Sequence, residues 1–459
     1  MCSGAARYRT TPLQFLHPGR IAETDFTPGK DFRKMKKKLL SMTLAALLCA
    51  SLGLAGCGSS SDAKSTSAAD ASSAGAASVS ASSASASGTS DTSSAGASSA
   101  ASSETEDAAA DSTSSASAEA SSADSADVKT LKVGLLGNSV KPVGVLVADA
   151  MGYFEEEGVN VEFEKVSSMN DAYMAVSTGD LDVYLFSSTA AATFISQGTT
   201  TLRVFGGTAA EGSEIMAAPD SGITLDSAES LAGKTIACQM PETGQMVLKN
   251  YLIEEGYTIG EPGENADVTF VYVEDGNTAV EGVLKGEYDL CITNQCLGYY
   301  ADELGVELVG AVKDFVDPYP CCRQTCNEKT YEENKDALIK FETAALRGYD
   351  FYRNNEEKTL DILVDYAGED RDFIKGQVYG TDSYTPVMRL SLDPDKDACI
   401  KFYEAMGNIG QIDNTLDIDW SKYVVTDVYE SALNDLAARE PDNALWGELT
   451  EYFKAHNTI

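Results

Sequence analysis

Histidine is almost missing from this 459-residue chain; the two present, His17 and His456, lie near its ends. No candidate site therefore has a nearby imidazole, the commonest general base at neutral pH. Ten cysteines are present, but no Cys-x-x-Cys pair or His spacing of a zinc or iron–sulfur site accompanies them, so neither a metal nor a cofactor is expected. Basic residues are also scarce. Lys and Arg number 34 against 71 Asp and Glu, a formal charge of −37, and such a field repels nucleic acid and anionic lipid. Gly233-Lys234-Thr235 lacks the partner glycine of a phosphate loop and opens a strand-like run instead.

What is there begins with breaks in composition. Residues 1–34 show no apolar periodicity and are expected to be an upstream mis-start. From Met35 a cationic stretch leads into an apolar run too short to span a bilayer, then into Leu54-Ala55-Gly56-Cys57. This resembles a bacterial lipobox, which implies a signal peptide over 35–56 and lipidation of Cys57. The segment 57–127 is mostly Ser, Ala, Gly, Asp and Thr, with no aromatic residue and no aliphatic larger than Ala except Val79, so it cannot bury a core and is expected to be a disordered tether. A chain cleaved before Cys57 would keep 25 basic and 68 acidic residues, a formal −43.

From Leu131 onward, apolar β-rich runs alternate with helical patterns, which predicts α/β architecture with mostly parallel sheets. The run Thr178-Gly179-Asp180-Leu181-Asp182-Val183-Tyr184-Leu185 is matched position by position by Lys285-Gly286-Glu287-Tyr288-Asp289-Leu290-Cys291-Ile292. Two similar lobes explain this most economically. Beyond Thr330 the pattern becomes helical, with Leu338, Phe341, Ala345, Tyr349 and Tyr352 on one face, and these helices are expected to brace the first lobe.

The phrases Met151-Gly152-Tyr153-Phe154-Glu155-Glu156-Glu157-Gly158-Val159, Gly179-Asp180-Leu181-Asp182-Val183, Leu231-Ala232-Gly233-Lys234-Thr235-Ile236 and Lys285-Gly286-Glu287-Tyr288-Asp289 carry a resemblance. Over about Leu131 to Leu433 the chain resembles the nitrate-, sulfonate- and taurine-type binding proteins, which include binders of thiamine-pyrimidine precursors. The resemblance implies a two-lobed type II periplasmic-binding-protein fold, each lobe a mostly parallel sheet flanked by helices. Lobe one would comprise 128–214 and 328–459 and lobe two 215–327, with hinges near Ile215 to Ala217 and Cys322 to Asn327. It also implies an extracytoplasmic, lipid-anchored, non-catalytic monomer that hands a small-molecule solute to an ABC permease with a cytoplasmic ATPase. A eukaryotic branch of the same superfamily makes the thiamine pyrimidine, but it uses a histidine that this chain lacks. A solute sensor built on the same two lobes is the remaining alternative.

In open parallel sheets ligands sit beyond the carboxyl ends of the strands, where amides and helix N-termini offer partial charge. That rule selects Asn138, Ser139, Ser187, Ser188, Thr189 and Thr208 in lobe one. In lobe two it selects Gln239, Glu242, Thr243, Glu274, Thr293 and Asn294, with Pro241 and Gln295 in the same loops. Tyr184, Phe186, Tyr299, Tyr300 and Tyr319 could stack on a ring, although Tyr184 and Phe186 fall on strands and suit the core better. Arg323 could fork onto an anionic solute or pair with one of many acids; Lys141 and Lys234 are weaker candidates. Of the seven cysteines after residue 128, Cys321 and Cys322 adjoin the returning hinge. Adjacent strand residues face opposite ways, so one of the two, taken as Cys322, is expected at the cleft.

Overall fold

The computed structural model describes residues 128–459 apart from Pro241, Gln295 and Asn414. The expected mis-start, signal peptide, Cys57 lipidation site and tether lie outside the described residues, and among those described no helix is long and apolar enough to cross a membrane.

Two six-stranded sheets carry the fold. The first lobe runs β1 (Thr130–Leu136), α1 (Val143–Met151), α2 (Tyr153–Glu157), β2 (Asn160–Val166), α3 (Met169–Thr178), β3 (Val183–Tyr184), α4 (Ser188–Ser196) and β4 (Leu202–Glu211). The second runs β5 (Glu214–Ala217), β6 (Thr235–Cys238), α5 (Thr243–Glu254), β7 (Ile259–Gly260), β8 (Val268–Tyr272), α6 (Gly276–Lys285), β9 (Leu290–Thr293), α7 (Ala301–Leu304) and β10 (Glu307–Ala311). The chain then returns through β11 (Pro320–Asn327), α8 (Glu328–Glu333), α9 (Lys335–Asn354), α10 (Glu356–Ala367), α11 (Arg371–Val378), β12 (Met388–Leu390), α12 (Lys396–Asn408), α13 (Asp427–Arg439) and α14 (Ala444–His456).

The sheets read β12-β4-β11-β3-β1-β2 and β10-β5-β9-β6-β8-β7. Three parallel strands in the first sheet (β2, β1, β3) and four in the second (β7, β8, β6, β9) meet an antiparallel strand that has crossed from the other lobe, β11 against β3 and β5 against β9. The repeated phrase has a shared structural cause. Ser168 caps α3 by accepting from Asp171 N, Asp275 caps α6 by accepting from Thr278 N, and both helices stop at left-handed glycines, Gly179 (φ 84°) and Gly286 (φ 73°). Three residues after each glycine an aspartate ties down the neighbouring strand. Asp182 accepts from Lys132 N at 3.0 Å and Asp289 from Thr235 N at 2.8 Å.

The lobe boundaries differ from those expected. β4 ends at Glu211 and β5 begins at Glu214, so the outward crossing is Gly212-Ser213, just before Ile215 to Ala217. The return differs more: Cys322 to Asn327 lie wholly within β11, a strand of the first sheet, so the chain recrosses between Val316 and Pro320. A buried strand next to a crossing has no local mark of which sheet it joins.

The C-terminal helices brace lobe one as expected. Leu338, Phe341 and Ala345 of α9 are buried, and α9 lies against α1 so closely that a Cβ at Gly348 would stand 2.0 Å from Gly144 O.

Candidate functional site

The loops at the carboxyl ends of the strands meet between the lobes, and two helix N-termini lead them. α4 starts at Ser188 after Ser187, which accepts from Ala190 N at 3.1 Å. α5 starts at Thr243 because Glu242 caps it by accepting from Gly244 N at 2.9 Å and Gln245 N at 2.6 Å. Thr189 and Thr243, in the first turns of helices from the two lobes, touch through their hydroxyls at 3.1 Å. The seam is extended by Asn408 donating to Asn250 at 3.1 Å, and by the Tyr384 hydroxyl donating to Glu214 at 2.6 Å. Tyr300 stacks on Phe373 with ring centroids 5.1 Å apart. Along the α5 and α12 side runs a groove of about 180 Å³ lined in part by Tyr251, Tyr319, Lys401 and Phe402.

Electrostatics focus on Lys141, in the loop between β1 and α1. Its Nζ lies 3.9 Å from Cys321 Sγ, and among the described residues it forms no ion pair. Burial opposes its charge, yet Cys321, Cys322, Cys296 and Glu242 around it outweigh burial and hold its pKa up. Glu242 is itself buried, and burial pushes its carboxyl up against the pull of Ser213 and the two α5 amides. Ser213 on the outward crossing gives its hydroxyl proton to Glu242 and its amide proton to Tyr319 Oη at 3.2 Å, so the crossing and lobe two share one polar network. Thr293 Oγ1, at the end of β9, and Gln245 Oε1, in the first turn of α5, are buried without a hydrogen-bond partner.

The expected residues thus divide. Thr189, Thr243, Glu242, Tyr319 and Cys322 converge at the seam, with Ser187 at the start of α4. Ser139 lies beside them, its hydroxyl accepting from Lys141 N at 3.5 Å. Ser188 is spent on Tyr403 (3.0 Å) and Thr208 on Leu185 O (3.1 Å). Asn138 is held by Lys165 and Ala367 O of its own lobe. Gln239 donates to the backbone of Glu274 at 3.2 Å, and Glu274 is exposed. Asn294 is partly buried at the end of β9.

Arg323 takes the second of its two expected roles, the ion pair. It is fully buried, pairs with Asp395 at 3.1 Å, and donates to Ala209 O and Cys322 O at 3.0 Å each. Its partner acid lies 72 residues downstream in the C-terminal brace, a proximity no local pattern reveals. Tyr184 and Phe186 lie in the core, edge-on and tilted within an aromatic cluster with Tyr173.

The cysteine pair departs from expectation. Register shifts on either side of Cys322 bend β11, and both thiols come to one side with Sγ atoms 3.7 Å apart. Ser213, Glu214, Tyr384 and Cys296 are also missing from the sequence-derived set. Ser213, the polar residue after a glycine at the crossing, is the only one with a local signal.

Two sheets linked by two crossings, with the helix starts of both lobes meeting across the seam, define the two-lobed periplasmic-binding-protein fold. Within that class, residues 140–359 match the family model described as NMT1/THI5 like. It is similar to the periplasmic nitrate-binding protein NrtA from Synechocystis PCC 6803, at 14% identity over 68% of this chain and 89% of that one, with a TM-score of 0.52. It is also similar to the periplasmic sulfonate-binding protein SsuA from Methylobacillus flagellatus KT, at 15% identity over 68% and 95%, with a TM-score of 0.52. The desulfurization enzyme DSZB is similar at 17% identity over 67% and 99%, with a TM-score of 0.45. No curated relative matches the chain.

Proposed function

We propose that this protein is the extracytoplasmic solute-binding component of an ABC importer, anchored through Cys57, monomeric and without catalytic activity. It holds a small polar organic solute between its lobes, of the sulfonate, nitrate-like or thiamine-precursor pyrimidine class. The observation that carries this reading is the meeting of Thr189 and Thr243, each in the first turn of a helix from a different lobe. Helix N-termini favour anions, and here two of them face each other beside the unpaired ammonium of Lys141. The partnerless Thr293 hydroxyl at the end of β9 is free to donate to such an anion, and Gln245 Oε1 in the first turn of α5 is free to accept from a solute N–H. The nitrate- and sulfonate-binding names of the similar structures agree with this choice of solute.

Solute entry separates the lobes at Gly212-Ser213 and at the return before Pro320, and closure removes the solute from water. The free energy of closure is the solute's preference for the closed state. The closed form then meets a permease whose ATPase drives uptake. Native mass spectrometry of freshly purified protein, followed by calorimetric titration with alkanesulfonates, nitrate and aminopyrimidines, tests the reading. One class should bind with compaction visible by small-angle scattering. No binding and no change in scattering from any of the three would refute it.

A further inference from the structure

Of the groups that solute capture leaves unused, the thiols are the most organised. Seven cysteines are buried and none is in a disulfide among the described residues. Five of them, Cys238, Cys291, Cys296, Cys326 and Cys399, come from scattered elements. Cys321 and Cys322 alone have sulfurs near each other, 3.7 Å apart, because the bulged start of β11 cancels the alternation that would send them to opposite faces.

Their surroundings are those of a reactive dithiol rather than a structural one. Lys141 Nζ stands 3.9 Å from Cys321 Sγ, and the backbone of Ser187, immediately before α4, favours the charged form of Cys322. A nearby ammonium and a helix N-terminus both stabilise a thiolate. The two thiols are also unequal. Hydrogen bonding from Cys321, with Lys141 nearby, pulls the Cys322 thiol down, while the same contact and burial push Cys321 up. One sulfur is therefore suited to attack and the other to wait with its proton. Neither thiol faces a metal-ligand cluster among the described residues.

We infer that Cys321 and Cys322 form a thiol–disulfide exchange site at the seam between the lobes, taking a small-molecule disulfide as co-substrate. The Cys322 thiolate attacks one sulfur of the disulfide, forming a mixed disulfide and releasing one thiolate. Cys321 then loses its proton and attacks Cys322 Sγ, closing a Cys321–Cys322 disulfide and releasing the second thiolate. Two protein thiols are oxidised and one external disulfide is reduced to two thiols, so atoms and electrons balance. Both thiols are nearly covered in the closed molecule, at 6% exposure each, so exchange belongs to the state in which the lobes part. Oxidation removes the thiolate that faces Lys141, and so changes the charge presented at the seam. The site needs only the observed geometry, and it would stand even if no solute bound.

The test treats the reduced, full-length mature protein with glutathione disulfide and follows intact mass and peptide maps. Wild type should lose two hydrogens, with the new bond mapped to Cys321–Cys322 and two glutathione thiols released per chain. Cys321→Ser should stop with one glutathione attached at Cys322, and Cys322→Ser should react at least about tenfold more slowly at this site. Adding Lys141→Met to Cys321→Ser should slow adduct formation by about tenfold, the loss of thiolate expected for one pKa unit. The wild-type result does not depend on any variant folding. A wild-type pair that stays reduced, a bond involving any other cysteine, or equal reactivity of the two serine variants would overturn the assignment.

Discussion

Arg323 holds its charge inside lobe one with no exposed atom, and Asp395 beside it is equally buried. Two ions removed from water persist only as a pair, so cutting one partner leaves a charge that nothing offsets. Asp395→Ala should therefore cost about 3–5 kcal/mol in chemical denaturation, while folded protein at low denaturant keeps its solute affinity. A selective loss of anionic solutes in Arg323→Ala would instead return the guanidinium to the site.

Other buried acids work the opposite way. Burial raises the carboxyls of Glu211, Glu214, Glu242 and Glu342, and Asp393 is lifted to about 7 by burial and then by Asp395. A carboxyl with a raised folded pKa binds its proton more tightly in the folded state than in the unfolded chain, where it titrates near 4. Stability should thus rise as pH falls from about 7 towards about 4, and the melting temperature should be higher at pH 5.5 than at pH 8. The lowered groups Asp267, Asp275, Asp413 and Asp419 act only below that window. Glu342 is the sharpest case, since neither of its oxygens has a partner and Gln324 Oε1 nearby also lacks a donor. Glu342→Gln should raise the melting temperature at pH 8 and flatten the pH profile, as differential scanning calorimetry would show; a lower value at pH 8 would contradict it.

At the scale of elements, α1 and α9 are fitted backbone to backbone. The Cβ of alanine at position 348 would fall 2.0 Å from Gly144 O and 2.8 Å from Ala148 N, neither of which can rotate away. Gly348→Ala should therefore cost about 1–3 kcal/mol by forcing the helices apart, even though alanine favours helix formation. A stabilised variant would show that the contact yields. The apolar stripe of α9 was legible at 3.6-residue spacing, as were the glycine stops of α3 and α6, because both follow from neighbours in sequence. The bend in β11 was not, since it arises from the register β11 adopts between β3 and β4.

For the whole molecule, the seam is held by few polar contacts across the lobes. Tyr384 of the C-terminal brace reaches Glu214 of lobe two at 2.6 Å, and Gly298 N holds the other carboxylate oxygen at 2.9 Å. Tyr384→Phe deletes one of these links while keeping the ring packed against Tyr299. The population should shift towards the open form, and scattering from the protein without solute should report a larger radius of gyration. An unchanged radius would place the closing free energy elsewhere, with Thr189 and Thr243 the next candidates.

The sequence by itself determined the α/β alternation, the doubled lobe, the bracing helices and the start of α4. All of these rest on periodicity, capping and turn chemistry acting over a few residues. Only the tertiary structure decided that Arg323 is neutralised by Asp395, that Lys141 lies beside thiols, and that Cys321 and Cys322 share one face. Those outcomes depend on which distant segments meet and at what register, and side-chain charge or sulfur chemistry carries no local record of its eventual partner.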